Sequence, residues 1–324
     1  MIKEILPGIF QLQIPLPGNP LKNLNSYLIK GRHRNLLIDT GFNWPECMEA
    51  QLKGMATLGV NWSEVDFFIT HMHGDHSGLV YALASKDSVV YCSRRDADIM
   101  RACMTPDYWR EVNDSFILNG FPKAMITNQG ETITNFISGS DMDFTYVQDA
   151  DVIEVGNYHL VCIATPGHSP GHMCLYEPEH KFLISGDHVL AHITSNITPW
   201  DGVDDFLGHY LASLEKIDNM DIRLVLPGHR GIIHDHHGRI AELKHHHANR
   251  LQEILYILKE GAMSAYQMAS LMHWDMTYDS WDDFPNFQKW FATGEAIAHL
   301  EHLVKRYEVL RIQEEQRLVY TLAF

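Results

Sequence analysis

The chain up to about residue 238 alternates short apolar runs with polar, glycine-containing turns, and beyond that point apolar residues recur at helical spacing. Short apolar runs bounded by turn residues are typical of β-strands packed in a core. We predict strands at residues 9–14, 26–29, 35–38, 65–69, 89–92, 159–164, 173–176, 181–184 and 223–226. Few of these runs are separated by the length of a strand–helix–strand unit, so the pattern predicts an α/β protein built on a sandwich of two mixed sheets.

The change of pattern near residue 238 predicts two domains, residues 1–238 and 239–324. Within the first domain, a helical stretch rich in aromatic residues interrupts the strands from residue 94 to about residue 150. An insert of this length is either a packed subdomain or a lid over a functional site, and the sequence leaves both alternatives open. Because no flexible Gly/Ser linker separates the two domains, we expect them to pack together.

The second domain has the pattern of helices followed by a hairpin. A long helix is predicted over residues 238–260, and Ser264 with Gln267 forms the pattern of a capping box at the start of another helix. A further helix is expected from Thr293 to about Arg306, followed by two apolar runs around a charged turn. Helices that end in a hairpin predict a winged-helix-like arrangement.

The composition narrows the possible functions. A formal net charge of −16 over 324 residues disfavours nucleic acid as a partner, because a strongly negative chain repels polyanions. Five scattered cysteines show no paired spacing, which favours a reducing compartment. The N-terminal residues lack the pattern of a signal peptide, and no apolar run reaches the roughly 20 residues that span a bilayer. We therefore expect a soluble, cytoplasmic protein without membrane contact.

Twenty-one histidines, many of them in short clusters, indicate metal binding. The most informative cluster follows the strand predicted at residues 65–69, where His71 and His73 lie two residues apart and point the same way in an extended chain. The glycine that comes next allows a sharp turn, after which Asp75 and His76 can face a second ion. One short segment can therefore contribute to two neighbouring metal sites.

Three more potential ligands follow apolar strands, each directly after a glycine: His168, Asp187 and His229. Strand ends can converge at one edge of a sandwich, so we expect these residues to join the histidine cluster. The whole set divides into two sites, with His71, His73 and His168 for one ion, Asp75, His76 and His229 for the other, and Asp187 reaching both. Nitrogen and oxygen ligands with an open position suit two divalent ions per chain, zinc first, although iron or manganese also accept this set.

These residues and their order resemble the metallo-β-lactamase superfamily, in particular its glyoxalase-II-like and lactonase-like hydrolases. The resemblance covers residues 1 to about 235 and implies an αββα sandwich with the metals at one edge. It also implies that Asp39, in the segment Leu-Leu-Ile-Asp-Thr-Gly, lies near the metals and orients their ligands without being a ligand itself. Arg230 departs from the family pattern, because relatives usually have glycine there, so it either caps the loop or binds an anionic group of the substrate.

The resemblance implies a hydrolase that acts on a small-molecule acyl substrate. A hydroxide bridging the two metal ions would attack an ester, thioester or lactone carbonyl, and Asp75 would be the catalytic residue that orients the nucleophile or relays its proton. Structural roles are expected first for His172, His188 and His192, with His192 also a candidate substrate contact beside Arg230. The later histidines at positions 234–247 are expected on a solvated face. The sequence leaves open whether the protein forms a homodimer.

Single-stranded RNA is the alternative substrate. A lactamase-like domain followed by a winged-helix tail resembles a group that includes an endoribonuclease as well as polyketide thioesterase-like hydrolases. Against RNA, residues 245–324 carry seven Lys/Arg and eleven Asp/Glu, and the last predicted helix is itself acidic. Arg94, Arg95 and Arg101 form the nearest candidate for an anion-binding strip, which could also hold the phosphate of a coenzyme A or acyl-carrier conjugate.

Overall fold

The computed structural model describes residues 1–126, 142–200, 202–275 and 278–323. Its strands are β1 Ile2–Leu6, β2 Ile9–Pro15, β3 Asn23–Ile29, β4 Asn35–Ile38, β5 Val65–Phe68, β6 Val90–Ser93, β7 Thr145–Val147, β8 Val152–Val155, β9 Tyr158–Ala164, β10 Met173–Glu177, β11 Phe182–Gly186, β12 Leu224–Pro227, β13 Val309–Glu314 and β14 Arg317–Leu322. Its helices are α1 Pro45–Leu58, α2 Gly74–Ser77, α3 Val80–Leu83, α4 Arg94–Ala102, α5 Pro106–Leu118, α6 Phe206–Asp218, α7 His236–Ile257, α8 Ala265–Leu271 and α9 Asn286–Lys305.

Two mixed sheets form the body of the protein. In the first, β1 to β7 lie side by side in sequence order, with antiparallel neighbours from β1 to β4 and parallel neighbours from β4 to β7. The second has the order β12-β11-β10-β9-β8, in which β11 and β12 are parallel and the other neighbours are antiparallel. The carboxyl ends of β4 and β5 therefore share one edge of the first sheet, and those of β9, β11 and β12 share one edge of the second.

Apolar side chains fill the space between the sheets and cover both outer faces. Phe68 packs between the sheets with Leu160 and Phe182, whereas its neighbour Phe67 faces the layer of α1. This alternation follows from the pleat, because successive side chains of a strand point to opposite faces. Helices α6, α7 and α9 cover the outer face of the second sheet in one apolar cluster. The pattern of the sequence predicts a sandwich of two mixed sheets and the resemblance implies its αββα layers, and both expectations are confirmed.

The nine predicted strands are all present, whereas β1, β7 and β8 were not predicted from the sequence. All three missed strands lie at the edge of a sheet, where part of the strand faces solvent and the apolar pattern is weak. Strand β7 falls inside the predicted insert and extends the first sheet, so the helical excursion that begins at residue 94 ends before residue 145. Residues 127–141 of that predicted insert lie outside the described residues.

Helix α5 of the insert packs against the C-terminal region. Phe116 stacks on Trp290 of α9, with ring centroids 4.2 Å apart and planes inclined by 9°. Asn119, which follows α5, accepts a hydrogen bond from the backbone N–H of Tyr266, and its Oδ1 lies 3.0 Å from Tyr320 Oη in β14. For the described part of the insert, these contacts favour the packed-subdomain alternative.

The C-terminal region contains the predicted helices and hairpin with one displaced boundary. Ser264 and Gln267 form the capping box that starts α8. Helix α9 begins at Asn286, several residues before the predicted start, and no capping pattern marks this start because Pro285 provides no side-chain cap. Residues on both sides of the predicted boundary at 238 share one core, and the winged-helix arrangement stays a prediction.

Within the described ranges, no helix is long and apolar enough to cross a membrane.

Two histidines of α7 are buried, which corrects the expectation of a solvated face. His236 and His247 lie on the buried stripe of the helix, spaced by three or four residues along Ile240, Leu243 and Leu251. His247 Nδ1 also lies 3.0 Å from a histidine nitrogen of α9. The expectation failed because it treated the histidines as one polar run and ignored the helical period.

Replacing Phe116 with Ala should lower the free energy of unfolding by about 3–5 kcal/mol, because it leaves a cavity against Trp290 at the contact between α5 and α9. Urea unfolding of the full chain measures the change. Leu52→Ala is the control, since Leu52 is 46% exposed on α1, and it should change the free energy by less than about 0.5 kcal/mol. Equal losses in the two variants would contradict the packing described for α5.

Candidate metal centre

Four strand ends bring the candidate ligands together. The segment after β5 carries four of them, and the segments after β9, β11 and β12 carry one each. The candidates are His71, His73, Asp75, His76, His168, Asp187 and His229. All are buried except His73, which is partly exposed. The structure thus gathers all seven at the edge of the sandwich where the carboxyl ends of these strands meet.

His71, His73 and His168 direct nitrogen atoms toward one another. His71 Nε2 and His168 Nε2 each lie 2.9 Å from His73 Nδ1. Burial lowers the pKa of all three imidazoles, that of His73 to about 3, so the rings are neutral at physiological pH. Three neutral histidine nitrogens at this spacing form a donor set for a transition-metal ion.

Asp75, His76 and His229 form a second cluster beside the first. Asp75 Oδ2 lies 3.2 Å from His229 Nε2 and 3.8 Å from His76 Nε2. Burial alone would raise the pKa of the Asp75 carboxyl, but His76 and His229 outweigh burial and lower this pKa to about 2. The second cluster therefore offers an ionised carboxylate together with two imidazole nitrogens.

Asp187 lies between the two clusters. Its Oδ1 is 3.3 Å from His76 Nε2, and its Oδ2 is 3.6 Å from His229 Nε2 and 3.8 Å from His168 Nε2. Burial opposes ionisation of Asp187, yet these three histidines hold the pKa of its carboxyl well below the usual range. One carboxylate consequently faces ligand atoms of both clusters.

Asp39, at the end of β4, orients two of the histidine rings. Its Oδ2 accepts a hydrogen bond of 2.7 Å from His76 Nδ1 and one of 2.8 Å from Thr70 Oγ1. Thr70 Oγ1 in turn lies 3.0 Å from His71 Nδ1. These contacts occupy Nδ1 of both rings and direct Nε2 toward the clusters. The structure therefore places Asp39 where the resemblance implied, and Thr70 is a link that the sequence analysis missed.

Two backbone carbonyls orient two further rings in the same way. His168 Nδ1 and His229 Nδ1 donate hydrogen bonds of 2.8 Å to the carbonyls of Asn196 and Asn23. Among the described residues, His76 Nε2, His229 Nε2 and Asp187 Oδ1 are buried without a hydrogen-bond partner. Buried polar atoms need a partner, and a divalent metal ion fits a site that combines imidazole nitrogens with carboxylate oxygens.

Asp96, in α4, supports the site and was missed by the sequence analysis. Its buried carboxylate accepts hydrogen bonds from the backbone N–H groups of Met72 and Gly171, at 3.0 and 2.6 Å, and from Ser169 Oγ at 2.6 Å. Asp96 thereby joins the segment after β5 to the segment that carries His168. Burial, opposed by these hydrogen bonds, raises the pKa of Asp96 to about 6. In the sequence, Asp96 is an ordinary acidic residue in the first turn of a helix.

The neighbouring histidines differ in their surroundings. His172 is buried, its Nδ1 lies 2.8 Å from Thr165 Oγ1, and its Nε2 accepts a hydrogen bond from the backbone N–H of Asp187. His188 is also buried, behind His172. These positions fit the structural roles expected for both residues. His192 is exposed and makes no hydrogen bond, ion pair or ring contact within the described part of the chain, and its role as a substrate contact stays a prediction.

Arg230 holds the loop after β12. Its Nη2 donates a hydrogen bond of 3.0 Å to the carbonyl of Pro20, and its own carbonyl accepts one of 2.9 Å from Asn25 Nδ2. The backbone φ of Arg230 is 67°, in the left-handed region that favours glycine, which agrees with the glycine usual at this position. The structure supports the loop-capping alternative for this residue.

Comparison with known families agrees with the site. A family model described as the metallo-beta-lactamase superfamily matches residues 20–229, a range that covers more than half of the chain and contains all seven candidate ligands. The chain belongs to the metallo-β-lactamase superfamily. A second model, described as a metallo-beta-lactamase-like C-terminal domain, matches residues 251–320. The resemblance to the superfamily as a whole is thus confirmed.

Relatives of this metallo-β-lactamase superfamily member include two proteins named as thioesterases. An atrochrysone carboxyl ACP thioesterase from Cryptosporiopsis sp. is 25% identical over 289 residues, which are 85% of this chain and 74% of that protein. An acyl-coenzyme A thioesterase from Gallus gallus is 28% identical over 232 residues, which are 70% of this chain and 79% of that protein. These similarities extend over most of both partners.

Solved structures share the fold over nearly the whole chain. A metallo-beta-lactamase family protein from Thermus thermophilus matches with a TM-score of 0.84 and 27% identity, covering 98% of this chain and 100% of that one. A beta-lactamase domain protein from Burkholderia ambifaria matches with a TM-score of 0.83 and 24% identity, covering 99% and 95%. The sandwich and the C-terminal region therefore occur together in other proteins.

Family membership and the thioesterase-named relatives identify the chain as a hydrolase. Proteins of the metallo-β-lactamase superfamily typically bind divalent metal ions, and this chain has histidine and aspartate clusters that could hold them. The residues of both clusters lie on segments that directly follow strands of the sandwich. The fold thus supplies the edge at which the donors meet.

Replacing Asp96 with Asn should lower the free energy of unfolding by roughly 2–4 kcal/mol, because an amide nitrogen cannot accept the hydrogen bonds that join the segments after β5 and β9. Urea unfolding of the full chain measures this. Asp98→Asn is the matched control on the same helix, since Asp98 is exposed and pairs with Arg101 at the surface, and it should change the free energy by about 0.5 kcal/mol or less. A similar loss in both variants would show that Asp96 does not support the site.

Proposed function

We propose that this chain is a dinuclear metal-dependent hydrolase of acyl substrates. The observation that carries the proposal is the position of Asp187, whose carboxylate oxygens face His76 Nε2 on one side and His168 Nε2 on the other. The proposed ligands are His71, His73 and His168 for one divalent ion, Asp75, His76 and His229 for the other, and Asp187 for both. Zinc suits this donor set best, and iron or manganese are the alternatives.

The proposed chemistry is hydrolysis by activated water. When bound, two divalent ions lower the pKa of a water molecule to near neutrality and polarise the substrate carbonyl. The chain itself supplies orientation and proton handling. Asp39 fixes His76 directly, and through Thr70 it fixes His71. Asp75, which is ionised beside His229, is the proposed catalytic residue that orients the attacking water and relays its proton at Oδ2.

Relatives and charge support an ester, thioester or lactone as the substrate. The names of the two thioesterases describe acyl thioesters of a carrier protein and of coenzyme A. Helix α4 presents Arg94 and Arg95 at the surface, and beside them Arg101 donates hydrogen bonds to Asp98 and Tyr146. We propose this strip as the contact for the phosphate of a coenzyme A or acyl-carrier thioester.

We also propose that the C-terminal region shapes the hydrolase and does not bind nucleic acid. Helix α9 would be the recognition helix of a winged-helix domain, but most of its residues are buried. A recognition helix has to enter a groove of the duplex, which a helix packed in a protein core cannot do. The excess of acidic residues over residues 245–324 argues in the same direction.

Replacing His71, His168 or Asp187 with Ala should remove at least one metal ion per chain and lower turnover at least about a hundredfold, because each side chain is a proposed ligand. Inductively coupled plasma mass spectrometry on the metal-supplemented protein counts the ions, with two per chain expected for the wild type. His245→Ala is the control, since His245 is an exposed histidine of α7. If Asp187→Ala keeps full activity and full metal content, the dinuclear mechanism is wrong.

Acyl thioesters should be cleaved in preference to RNA. We expect turnover of thioesters, carboxylic esters or lactones at equal metal loading and low salt, with little cleavage of a single-stranded RNA oligonucleotide. Arg94→Ala should raise KM for an acyl-coenzyme A but not for the N-acetylcysteamine thioester of the same acyl group, which lacks the phosphates. Metal-dependent RNA cleavage that exceeds every acyl substrate in kcat/KM, and disappears in His71→Ala, would establish the endoribonuclease alternative.

A further inference from the structure

A continuous set of contacts runs from helix α9 to His168. Asn196 Nδ2 donates a hydrogen bond of 3.3 Å to Glu295 Oε2 of α9, and the backbone carbonyl of Asn196 accepts the hydrogen bond from His168 Nδ1. Glu295 is only 7% exposed, and its Oε1 lies 3.9 Å from Arg250 Nε. Asn196 thus joins a helix of the C-terminal region to a proposed metal ligand.

We propose that Glu295 is a positioning residue of the hydrolase. By holding the side chain of Asn196, it fixes the carbonyl that orients His168, and it makes the C-terminal region part of the metal centre. This inference rests on the proposed function, because it assumes that His168 binds a metal ion. It gives α9 an influence on metal binding although Glu295 does not belong to either donor cluster.

The orientation of His168 depends on a loop rather than on a strand or helix. A histidine that binds metal through Nε2 carries its proton on Nδ1, and the acceptor of that proton sets the plane of the ring. The acceptor here is the carbonyl of Asn196, in the connection between β11 and α6. Ser195 Oγ holds this connection from one side by donating to the carbonyl of Asp187, and Glu295 holds it from the other side.

Helix α9 approaches this loop closely because a glycine precedes Glu295. A Cβ atom on Gly294 would lie 2.7 Å from Thr198 Cγ2 and 3.3 Å from Phe116 Cζ. A glycine inside a helix is destabilising relative to alanine, and the burial of a carboxyl group carries a desolvation cost. Both costs occur at the point where α9 meets the loop of Asn196. If α9 has to hold that loop in place, the presence of both Gly294 and Glu295 at this point is explained.

Contacts that only hold the C-terminal region against the sandwich would be similar, and metal binding distinguishes this alternative from a positioning role. Loss of a purely structural contact changes the stability of the whole chain, whereas loss of a positioning residue changes the affinity for the ion beside His168 more than that for the other ion. Glu301 supplies the matched control. It lies on the same helix as Glu295 and accepts hydrogen bonds from Arg311 Nη1 and Tyr320 Oη of the hairpin.

The test is the zinc affinity of the full chain, measured by competition between metal-free protein and a chromophoric chelator. Glu295→Ala should weaken one of the two zinc equivalents roughly tenfold and leave the other within about twofold. Glu295→Gln should retain most of the affinity, because its Oε1 can still accept the hydrogen bond from Asn196 Nδ2. Glu301→Ala should lower the thermal midpoint of unfolding without changing either zinc affinity.

A second variant tests the same contact from the other side. Asn196→Ala keeps the backbone carbonyl but removes the side chain that Glu295 holds. It should weaken the same zinc equivalent, and the double variant with Glu295→Ala should bind zinc no more weakly than either single variant. Unchanged affinity for both equivalents in Glu295→Ala and Asn196→Ala overturns the inference. Wild-type protein that binds fewer than two zinc ions overturns the proposed function instead.

Discussion

Asp187 is buried among three histidines, and an ionised carboxylate in that place is stable only while those rings present nitrogen atoms to it. The rings in turn need partners for their other nitrogen, which come from Asp39 and from backbone carbonyls of two distant segments. Four of the five histidine rings are therefore held by hydrogen bonds on the side away from the clusters. Displacing any one segment leaves a charge or a polar atom buried without a partner, which is among the most costly changes in a folded protein.

This requirement explains why the site lies at a sheet edge. Parallel strands end at the same edge, so β9, β11 and β12 bring the segments that follow them to one edge of the second sheet, where the segment after β5 meets them. The strands are rigid because apolar side chains cover both faces of each sheet. Residues such as Asp96 then join neighbouring loops, and the loops gain the rigidity that their own backbone lacks.

The sequence predicts the ligands better than the residues that hold them. His71 and Asp187 stand directly after apolar strands, so a local pattern marks them. The partners of the rings lie far away in the chain: 206 residues separate His229 from the carbonyl of Asn23, and no local pattern encodes such a contact. The same reason explains the missed edge strands and the early start of α9. These elements are determined by neighbours in space, which spacing along the chain does not show.

The C-terminal region is integrated with the hydrolase fold rather than attached to it. Its helices share an apolar cluster with the second sheet, and Trp290 and Glu295 contact the insert and the loop of Asn196 respectively. Because most residues of α9 are buried, little of the helix is exposed to enter a groove of a nucleic acid or to bind a partner. An autonomous binding module would keep its recognition surface free. The burial of α9 therefore agrees with the proposal that this region fixes the loops around the candidate metal centre.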